Sequence, residues 1–307
     1  MANRPETIAG VENVDLSEMT ILVTGATDGI GRETAVSLGR LGASLLVHGR
    51  DPEKADRVVS AVESAGGTAE ALLADFLDES EVVGLAEAVL DRTDHLDALV
   101  NNAGTAFATG ALNDAGVERT MAVNHVAPFV LTNLLAPAVE RAGGRVVTVA
   151  SGVHRRVEMD LAAFDDVEAY DAFDAYSYSK YANVLFTYAL ARRLEAATSN
   201  CLHPGFVPGS ALWRGGRPLF KWSLRILGSL PAVMQNLIGK TPVVAAATPV
   251  YLVASPEVAQ VTGAYFADVE RTRSAEGTSD ESLQEALWEK TLEYTSLEGE
   301  QVLTLTD

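Results

Sequence analysis

Short apolar runs alternate with longer segments of helical periodicity along most of this chain, and that alternation restricts its fold more than any other feature. Strands buried on both faces read as short, continuous apolar runs, because helices cover them above and below. A repeated order of strand and helix favours an α/β protein with a doubly wound parallel sheet. The predicted strands are 20–24, 44–48, 69–74, 98–100 and 145–149, and the predicted helices are 32–41, 52–65, 80–90, 116–135 and 179–195.

The chain is long enough for one large domain with a short extension at each end. Its 307 residues, 48% of them hydrophobic, can bury the core of an α/β domain of about 250 residues. We predict an N-terminal extension over 1–17, a single domain over 18–268 and an acidic C-terminal tail over 269–307. Apolar residues at helical spacing predict a helix in that tail, at Leu283–Tyr294, which packs on the edge of the domain.

The chain is strongly acidic. It has 42 Asp and Glu residues against 23 Lys and Arg residues, which gives a formal net charge of −19, and only five of the basic residues are lysine. Such a surface repels nucleic acids and anionic membranes, so neither is an expected partner of the whole protein. This composition resembles that of proteins from salt-accumulating (halophilic) organisms, in which concentrated salt screens the repulsion. An ordinary acidic cytosolic protein is the alternative.

The sequence also predicts a soluble, cytoplasmic protein. Cys201 is the single cysteine, so no internal disulfide can form and a reducing compartment is expected. The N-terminal residues lack the apolar core of a signal peptide. The charge-free run Thr241–Pro256 is too short for a spanning helix and contains prolines, so we expect no stable insertion into a membrane.

The sequence T-G-A-T-D-G-I-G, at Thr24–Gly31, lies between the first predicted strand and the first predicted helix. Gly25, Gly29 and Gly31 permit a sharp turn, let a pyrophosphate approach without a Cβ in the way, and leave free N–H groups at the start of the helix. The spacing is G-x-x-x-G-x-G, which differs from the commoner dinucleotide motif G-x-G-x-x-G. Taken alone, the stretch fits a phosphate-binding loop and a structural turn equally well.

Further motifs follow in order and favour the phosphate-binding loop. They are N-N-A-G at Asn101–Gly104, Asn124, Ser151 after a strand, Y-x-x-x-K at Tyr176–Lys180, and P-G at Pro204–Gly205. Over about Leu16–Val269 this set resembles the short-chain dehydrogenase/reductase family, and the segments 153–157 and 165–175 resemble its retinol-dehydrogenase-like branch. The resemblance implies a Rossmann-type, seven-stranded parallel sheet with helices on both faces, which binds a nicotinamide dinucleotide at the carboxyl ends of its strands.

The expected catalytic residues are Asn124, Ser151, Tyr176 and Lys180. Tyr176 and Lys180 are four residues apart and share a helix face, so we expect the ammonium to lower the pKa of the phenol. Tyr176 is then the general acid or base while a hydride moves to or from the nicotinamide, and Lys180 also holds the nicotinamide ribose. Ser151 can donate a hydrogen bond to the substrate oxygen. The resemblance implies that Asn124 holds a water molecule behind Lys180.

The expected cofactor is NADP, with NAD as the alternative. Relatives that prefer NAD tend to carry an acid at the position of Gly49, so glycine followed by Arg50 leaves room and a guanidinium for a 2′-phosphate. Asp28 in the glycine loop argues for NAD. The resemblance implies that Asp75 contacts adenine and that Asn101 fixes the adenosine. The expected cofactor contacts are Thr24, Gly25, Asp28, Gly29, Ile30, Gly31, Arg50, Asp75, Asn101, Ala103, Gly104, Tyr176, Lys180, Pro204, Gly205, Phe206 and Val207.

The chain departs from the family pattern at two places. Residues 196–199 are partly polar where the family has an apolar strand, which predicts a shortened strand before Pro204. The threonine that often follows the P-G pair is replaced within Phe206–Ser210. We therefore expect backbone N–H groups around Phe206 and Val207 to position the nicotinamide.

The segment 196–256 contains no Asp or Glu, although the rest of the chain holds 42 of them. Trp213, Phe220 and Trp222 lie within it, and such a segment is not expected on the ordinary exposed surface of so acidic a protein. The resemblance favours a lid over 206–240 that closes on a bulky, hydrophobic substrate. A subunit interface in a homo-oligomer and a peripheral membrane contact through 211–240 are the alternatives.

These features predict an NADP-preferring oxidoreductase that transfers a hydride between its cofactor and a bulky hydrophobic carbonyl compound or alcohol. A ketoacyl or sterol reductase of the same family is one alternative, and a non-catalytic dinucleotide-binding redox sensor is another. Sensors of that kind usually lack the tyrosine or the lysine, and both are present here. No metal site is expected.

Overall fold

A single mixed sheet runs through the computed structural model, which describes residues 4–207 and 239–305. The described strands are β1 Thr20–Val23, β2 Ser44–Gly49, β3 Thr68–Leu73, β4 Ala98–Asn101, β5 Arg145–Val149, β6 Thr198–His203, β7 Ala264–Ala267 and β8 Glu270–Thr272. Their order across the sheet is β3-β2-β1-β4-β5-β6-β7-β8. Every neighbouring pair is parallel except β7 and β8, which are antiparallel.

Helices cover both faces of the sheet. The described α-helices are α1 Pro5–Ile8, α2 Gly29–Arg40, α3 Pro52–Ala65, α4 Glu79–Leu90, α5 Arg119–Met121, α6 Ala127–Ala142, α7 Ala172–Ala191, α8 Pro242–Ala245, α9 Ala247–Ala254 and α10 Glu281–Leu292. A π-helical turn, Ala122–Val126, joins α5 to α6.

Successive strand residues enter two different cores, because side chains alternate across a strand. Leu22 and Leu46 pack in the core that α4, α6, α7 and α10 cover. Ile21 and Val47 pack in the core that α2, α3 and α9 cover. The predicted doubly wound α/β fold with helices on both faces is confirmed.

The described residues form eight strands, one more than the seven predicted. Beyond β7 the chain turns at Asp268 and Val269, and β8 then pairs back along β7, with Ala267 opposite Glu270. Both turn residues have positive φ, 53° and 68°. Two-residue hairpin turns of this handedness usually contain glycine or asparagine. Because neither is present, the sequence gives little sign of this hairpin.

The strand β6 is not shortened, contrary to the expectation from its polar residues. It runs for six residues between β5 and β7. The Asn200 side chain donates to the carbonyl oxygen of Val261 at 2.5 Å and accepts from the N–H of Ala264 at 3.0 Å. The Ser199 hydroxyl donates to the carbonyl oxygen of Thr187 at 3.1 Å. Since these groups have hydrogen-bond partners, their burial does not carry the cost of an unpaired polar group.

Both ends of the described chain pack on the domain. Near the N-terminus, the buried carboxylate of Glu6 accepts a hydrogen bond from the Ser37 hydroxyl of α2 at 2.6 Å. Near the C-terminus, Trp288 of α10 is buried, and the guanidinium of Arg193 lies 3.9 Å from its ring centre. The helix predicted at Leu283–Tyr294 is α10, and it packs against α7.

One helical run, residues 119–142, is long and apolar enough to cross a membrane. Its most apolar window has a mean hydropathy of 1.3, and 89% of that window is buried inside the protein. A helix that is apolar all round is expected in the core of a large domain. Burial between the sheet and its neighbouring helices therefore explains the composition of this run.

The strand order reverses at β1, which has β2 on one side and β4 on the other. The connections from β1 and from β4 therefore leave the sheet in opposite directions, and a crevice opens outside the carboxyl ends of these two strands. Ligands of doubly wound proteins bind in such a crevice. The glycine loop follows β1 and the N-N-A-G motif follows β4, so both lie at this point of the fold.

Candidate active site

A cavity of about 610 Å³ opens at the crevice. Loops that follow the carboxyl ends of six strands form its wall, together with part of α7. The wall runs from the glycine loop to the Y-x-x-x-K motif, so the two predicted functional regions share one site. The sequence-predicted residues in the wall are Gly25, Asp28, Gly29, Ile30, Gly31, Arg50, Asp75, Ala103, Gly104, Ser151, Tyr176, Lys180, Pro204, Gly205, Phe206 and Val207.

The glycine loop packs directly against the N-N-A-G loop. A Cβ on Gly25, where φ is 61°, would lie 2.8 Å from the Cα of Ala103. A Cβ on Gly31 would lie 2.4 Å from Nδ2 of Asn102. A side chain at either position would force the two loops apart. Because α2 begins at Gly29, the free N–H groups of its first turn lie at the cavity wall, as an anion site requires.

Thr24 lies behind the wall and joins these two loops. Its hydroxyl oxygen accepts the N–H groups of Asn102 and Ala103, at 3.0 Å each. The same hydroxyl donates to the carbonyl oxygen of Val100 at 3.1 Å. Thr24 thus acts on the shape of the site through the backbone of the loop after β4.

Asn101 does not face the cavity, which corrects the prediction that it fixes the adenosine. Its side chain is buried and donates to the Thr132 hydroxyl of α6 at 3.0 Å. Adjacent side chains at a strand end point to opposite sides of the sheet. The next residue, Asn102, lines the cavity instead, and it donates to the carbonyl oxygens of Thr24 and Gly25 at 2.7 and 3.1 Å.

The space beside Gly49 is already filled. A Cβ at this position would lie 2.2 Å from Cγ2 of Thr27, so an acidic side chain there would require the Thr27 side chain to move. The next residue, Arg50, lines the cavity and lies 3.3 Å from the carboxylate of Asp75. Lys54 adds a second cation to this end of the wall.

Asp28 caps the first helix of the site. Its carboxylate accepts a hydrogen bond from the N–H of Gly29 at 2.8 Å, at the N-terminus of α2. Acidic residues are favoured at this position, because they satisfy a free N–H group and oppose the helix dipole. Capping thus gives Asp28 a structural role, which is separate from the choice between NAD and NADP.

Ser151, Tyr176 and Lys180 meet at the other end of the cavity. Ser151 follows β5, and the other two side chains project from α7. The ammonium of Lys180 donates to the carbonyl oxygen of Val149 at 2.8 Å and lies 5.8 Å from the ring centre of Tyr176. Ser151 is within hydrogen-bonding reach of the Tyr176 hydroxyl. The four-residue spacing therefore places phenol and ammonium side by side, as predicted.

Burial favours the neutral form of both Tyr176 and Lys180, and it shifts their pKa values accordingly. It raises the pKa of Tyr176 to about 12, against the opposite effect of the hydrogen bond from Ser151. Burial also lowers the pKa of Lys180 to about 7. The expected lowering of the tyrosine pKa by Lys180 stays a prediction, and burial acts on this pKa in the opposite direction.

Asn124 lies in the π-helical turn, fully buried behind the wall. Its Nδ2 donates to the carbonyl oxygen of Thr105 and to the Ser179 hydroxyl, at 2.9 Å each, and its Oδ1 accepts the N–H of Thr105 at 2.8 Å. A Cβ on Gly104 would lie 3.5 Å from both this Oδ1 and the Lys180 ammonium. Asn124 thus holds the loop beside Lys180, and its part in holding a water molecule stays a prediction.

The predicted lid over 206–240 falls mostly on residues 208–238, which lie outside the described residues. The same is true of most of the alternative membrane contact through 211–240. Before residue 208, the P-G motif lies at the cavity as expected, because Pro204 to Val207 line it. The N–H of Gly205 donates to Nδ1 of His203 at 3.1 Å. Among the residues described after 238, the N–H of Lys240 donates to the carbonyl oxygen of Phe206 at 2.7 Å.

Several wall residues have no counterpart among the sequence predictions. Thr27 and Asn102 lie inside the glycine and N-N-A-G motifs, so their position in the motif could have identified them. His48 lies in β2 and Phe76 follows β3, and their rings stack 4.4 Å apart because these two strands pair. The others include Lys54, which no motif marks, and Val153, Arg156 and Phe173, which lie in the segments 153–157 and 165–175 that resemble the retinol-dehydrogenase-like branch.

The sequence profile of the short chain dehydrogenase family matches residues 19–215. The chain belongs to this family. Mouse retinol dehydrogenase 14 is 34% identical to it over 289 residues, which cover 88% of this chain and 84% of the relative. Mouse polyprenol dehydrogenase is 36% identical over 289 residues, with 91% and 84% covered. The similarity to the retinol-dehydrogenase branch that the motifs indicate is thereby confirmed.

The fold of a solved family member also matches. A short chain dehydrogenase from Escherichia coli CFT073, complexed with NADPH, superimposes with a TM-score of 0.64 at 26% identity and covers 84% of this chain and 98% of its own. This short-chain dehydrogenase is thus an NAD(P)-dependent oxidoreductase that acts on alcohol or carbonyl groups.

Proposed function

We propose that this short-chain dehydrogenase uses NADP to interconvert a bulky, apolar alcohol and its carbonyl compound, with Tyr176 as the general acid or base. The observation that carries this proposal is the position of Ser151, Tyr176 and Lys180 at one end of the cavity whose other end is the glycine loop. The pyrophosphate belongs at the free N–H groups of α2 and the nicotinamide at the tyrosine end.

The residues present fit such a cofactor. The two loops approach so closely that a Cβ on Gly25 or Gly31 would collide, which leaves a cradle of backbone N–H groups. The cavity volume of about 610 Å³ is within the ordinary range for small-molecule sites. When bound, the nicotinamide supplies or accepts the hydride.

The protein's own residues handle the proton. In the direction of reduction, Tyr176 transfers its hydroxyl proton to the carbonyl oxygen while the carbonyl carbon receives the hydride. Its raised pKa, about 12, keeps the phenol protonated near neutral pH, as an acid catalyst requires. Ser151 donates a hydrogen bond to the same oxygen, where negative charge develops. In the direction of oxidation, Tyr176 accepts the alcohol proton in its phenolate form, while the hydride leaves the alcohol carbon.

Two features of the adenosine end and one solved relative support NADP over NAD. Thr27 occupies the space that an acid at position 49 would need. Arg50 and Lys54 place two cations in the wall, and a guanidinium binds a phosphate well. The solved relative from Escherichia coli contains NADPH. Asp75 opposes this preference, since it already pairs with Arg50.

An apolar substrate is supported by the wall near the catalytic end and by the similar proteins. Val153 and Phe173 line the cavity beside Tyr176. The two similar mouse proteins are named for retinol and polyprenol, which are long apolar alcohols. The acid-free segment 196–256 adds an apolar stretch directly after the site, which suits a lid over 206–240 and a homo-oligomer interface.

A panel of aldehydes of rising size, from propanal through benzaldehyde and citral to retinal, tests this function. NADPH and NADH oxidation is followed with each of them, in dilute buffer and in concentrated KCl. We expect kcat/KM to rise with apolar size and to be higher with NADPH. The contrary result is tight NADPH binding while no aldehyde is reduced and no matching alcohol is oxidised with NADP. That result would contradict the enzymatic function and favour a dinucleotide-binding sensor.

The salt arm of this experiment tests the proposed setting, the cytoplasm of a salt-accumulating organism. The net charge of −19 repels itself in dilute buffer, and salt screens that repulsion. We expect both activity and thermal stability to increase in concentrated KCl. Loss of activity in KCl would contradict this setting and leave the proposed chemistry unaffected.

A further inference from the structure

His154 lies three residues after Ser151, in the short 3₁₀ turn Gly152–Arg156. Its side chain has no exposed surface. The rings of Tyr265 and Tyr181 surround it, with centres 5.1 and 6.3 Å away. Most buried polar side-chain atoms have a hydrogen-bond partner, and both ring nitrogens of His154 have one.

The two partners of His154 fix which nitrogen carries the proton. The backbone N–H of Ala275 points at Nε2 from 3.0 Å, and a backbone N–H can only donate, so Nε2 is unprotonated. The proton is therefore on Nδ1, which donates to the carbonyl oxygen of Ser151 at 2.6 Å. Burial lowers the pKa of His154 to about 4, so this neutral form is the one present near neutral pH.

We propose that His154 is a positioning residue, which orients Ser151 for the reaction and connects it to the C-terminal segment 273–279. This inference rests on the proposed role of Ser151 as the hydrogen-bond donor to the substrate oxygen. His154 itself touches neither substrate nor cofactor in this role. It acts by holding the carbonyl group of Ser151, and with it the direction of the serine side chain.

The carbonyl oxygen of Ser151 is held twice by the same residue. Besides Nδ1, the backbone N–H of His154 also donates to it, at 3.3 Å. On the side-chain face, the Ser151 hydroxyl oxygen is 3.5 Å from the N–H of Val153. A donor such as Ser151 must be aligned before the reaction, because a misplacement of about 1 Å can lower the rate about a hundredfold.

The C-terminal segment is itself anchored to α7, the helix that carries Tyr176. The Ser274 hydroxyl lies 2.8 Å from the Tyr188 hydroxyl of α7 and 2.7 Å from the hydroxyl of Thr278. A Cβ on Gly277 would lie 2.5 Å from the Tyr181 hydroxyl, so the segment also packs tightly on this helix. Through His154 and α7, one segment of the C-terminal tail thus supports both Ser151 and Tyr176.

Two variants separate the hydrogen bond from the packing of the ring. His154→Phe keeps a buried ring but cannot donate to Ser151. His154→Asn is smaller, but its Nδ2 lies near the position of the lost Nδ1 and can donate to the same carbonyl oxygen. We expect kcat for retinal to fall about tenfold to a hundredfold in His154→Phe and to recover most of this loss in His154→Asn, with KM and the Kd of NADPH little changed.

Arg155→Met provides the matched control. The Arg155 guanidinium donates to the carbonyl oxygen of Arg273, so this variant also removes a bond between the same turn and the same segment. It leaves both bonds of His154 in place, and its kcat should stay within about twofold of the parent protein. A fall in kcat as large as that of His154→Phe would show that the loss of any contact between the turn and the C-terminal segment lowers the rate. That result would overturn the inference.

Hydrogen exchange at the amide of Ala275 gives a second readout, which needs no turnover. We expect slow exchange in the parent protein and faster exchange in both His154→Phe and His154→Asn, since neither side chain can accept from this N–H. Equal exchange in all three proteins overturns the proposed connection. A parent protein without turnover would instead contradict the proposed function, whereas parental kcat in His154→Phe contradicts the positioning role alone.

Discussion

The adenosine end and the catalytic end of the cavity differ in how their charged groups meet water. Arg50 and Asp75 have 62% and 39% of their side-chain surface exposed. Tyr176 and Lys180, in contrast, are only 7% and 3% exposed, and burial moves their pKa values to about 12 and about 7. Exposed charges can recognise a phosphate at the surface of the protein. Burial instead keeps the phenol of Tyr176 protonated and brings the pKa of Lys180 towards neutrality.

The largest test of this difference is Tyr176→Phe. Loss of the phenol proton should lower kcat by about 10²–10⁴-fold, the usual contribution of a general acid. The Kd of NADPH should change little, because the adenosine and pyrophosphate contacts are at the other end. Steady-state kinetics and fluorescence titration of NADPH measure the two effects.

Tyr178→Phe is the matched control for this variant. Tyr178 lies two residues further along α7 and packs against the core rather than in the cavity wall. Its kcat should stay close to that of the parent protein. Equal losses of kcat in the two variants would contradict the proposed role of Tyr176. They would also contradict the chemical difference between the two ends of the cavity.

Lowering the pH tests a feature that the two ends of the cavity share, because buried histidines lie near both of them. His48 lines the cavity near Arg50, and His154 lies three residues after Ser151. His125 lies in the π-helical turn. All three are buried. Burial lowers the pKa of His48 and His154 to about 4 and that of His125 to about 3. The unfolded chain binds protons at these groups from about pH 6.5 downwards, whereas the folded protein does so only near their lowered pKa values.

The free energy of unfolding should therefore fall as the pH decreases from about 6.5 to about 4. Each histidine contributes a slope of at most about 1.4 kcal/mol per pH unit within this window. Urea unfolding at pH 7, 6 and 5 measures the sum. The loss should be smaller in His48→Gln, and an unfolding free energy that stays constant over this range would contradict the burial of neutral imidazoles.

Arg50→Gln tests the adenosine end of the cavity. If Arg50 binds the 2′-phosphate, its loss should raise the Kd of NADPH about tenfold to a hundredfold, the value of one or two hydrogen bonds to a charged group. The Kd of NADH should hardly change, and neither should kcat at saturating cofactor. Because exposed charges are screened, the difference between parent and variant should shrink in concentrated KCl.

The control for Arg50→Gln is Arg57→Gln. Arg57 lies on α3, exposed and 3.9 Å from Glu53, and it does not line the cavity. Its removal changes the net charge by the same amount without changing the site. Equal effects of the two variants on NADPH binding would indicate a general electrostatic effect and no specific phosphate contact.

Asp28→Asn should give the smallest effect. The amide oxygen can still accept from the N–H of Gly29 and cap α2, so the stability should change by less than about 0.5 kcal/mol. Removal of a negative charge beside the pyrophosphate position should tighten NADPH binding about twofold to fivefold, as for other charges at helix N-termini. Weaker binding in the variant would assign Asp28 a direct cofactor contact.

Local patterns were sufficient to predict much of the fold and of the site. The helix predicted at 52–65 has these bounds in the structure, because Asp51 caps it and Gly66 ends it. The glycine loop and the Tyr176–Lys180 pair were predictable for the same reason, since their function depends on spacing along the chain. Asn101 was assigned to the wrong side of β4, because the motif does not show which of two adjacent asparagines faces the ligand.

The sequence by itself determined the doubly wound fold, the strand-to-helix position of the glycine loop and the phenol–ammonium pair on α7, because each depends on residues close together in the chain. Only the tertiary structure decided that burial raises the pKa of Tyr176, that Thr27 fills the space beside Gly49, and that Ala275 reaches a histidine beside Ser151. The last contact joins residues 121 positions apart. Contacts and burial of this kind arise from packing between distant elements, which no local pattern records.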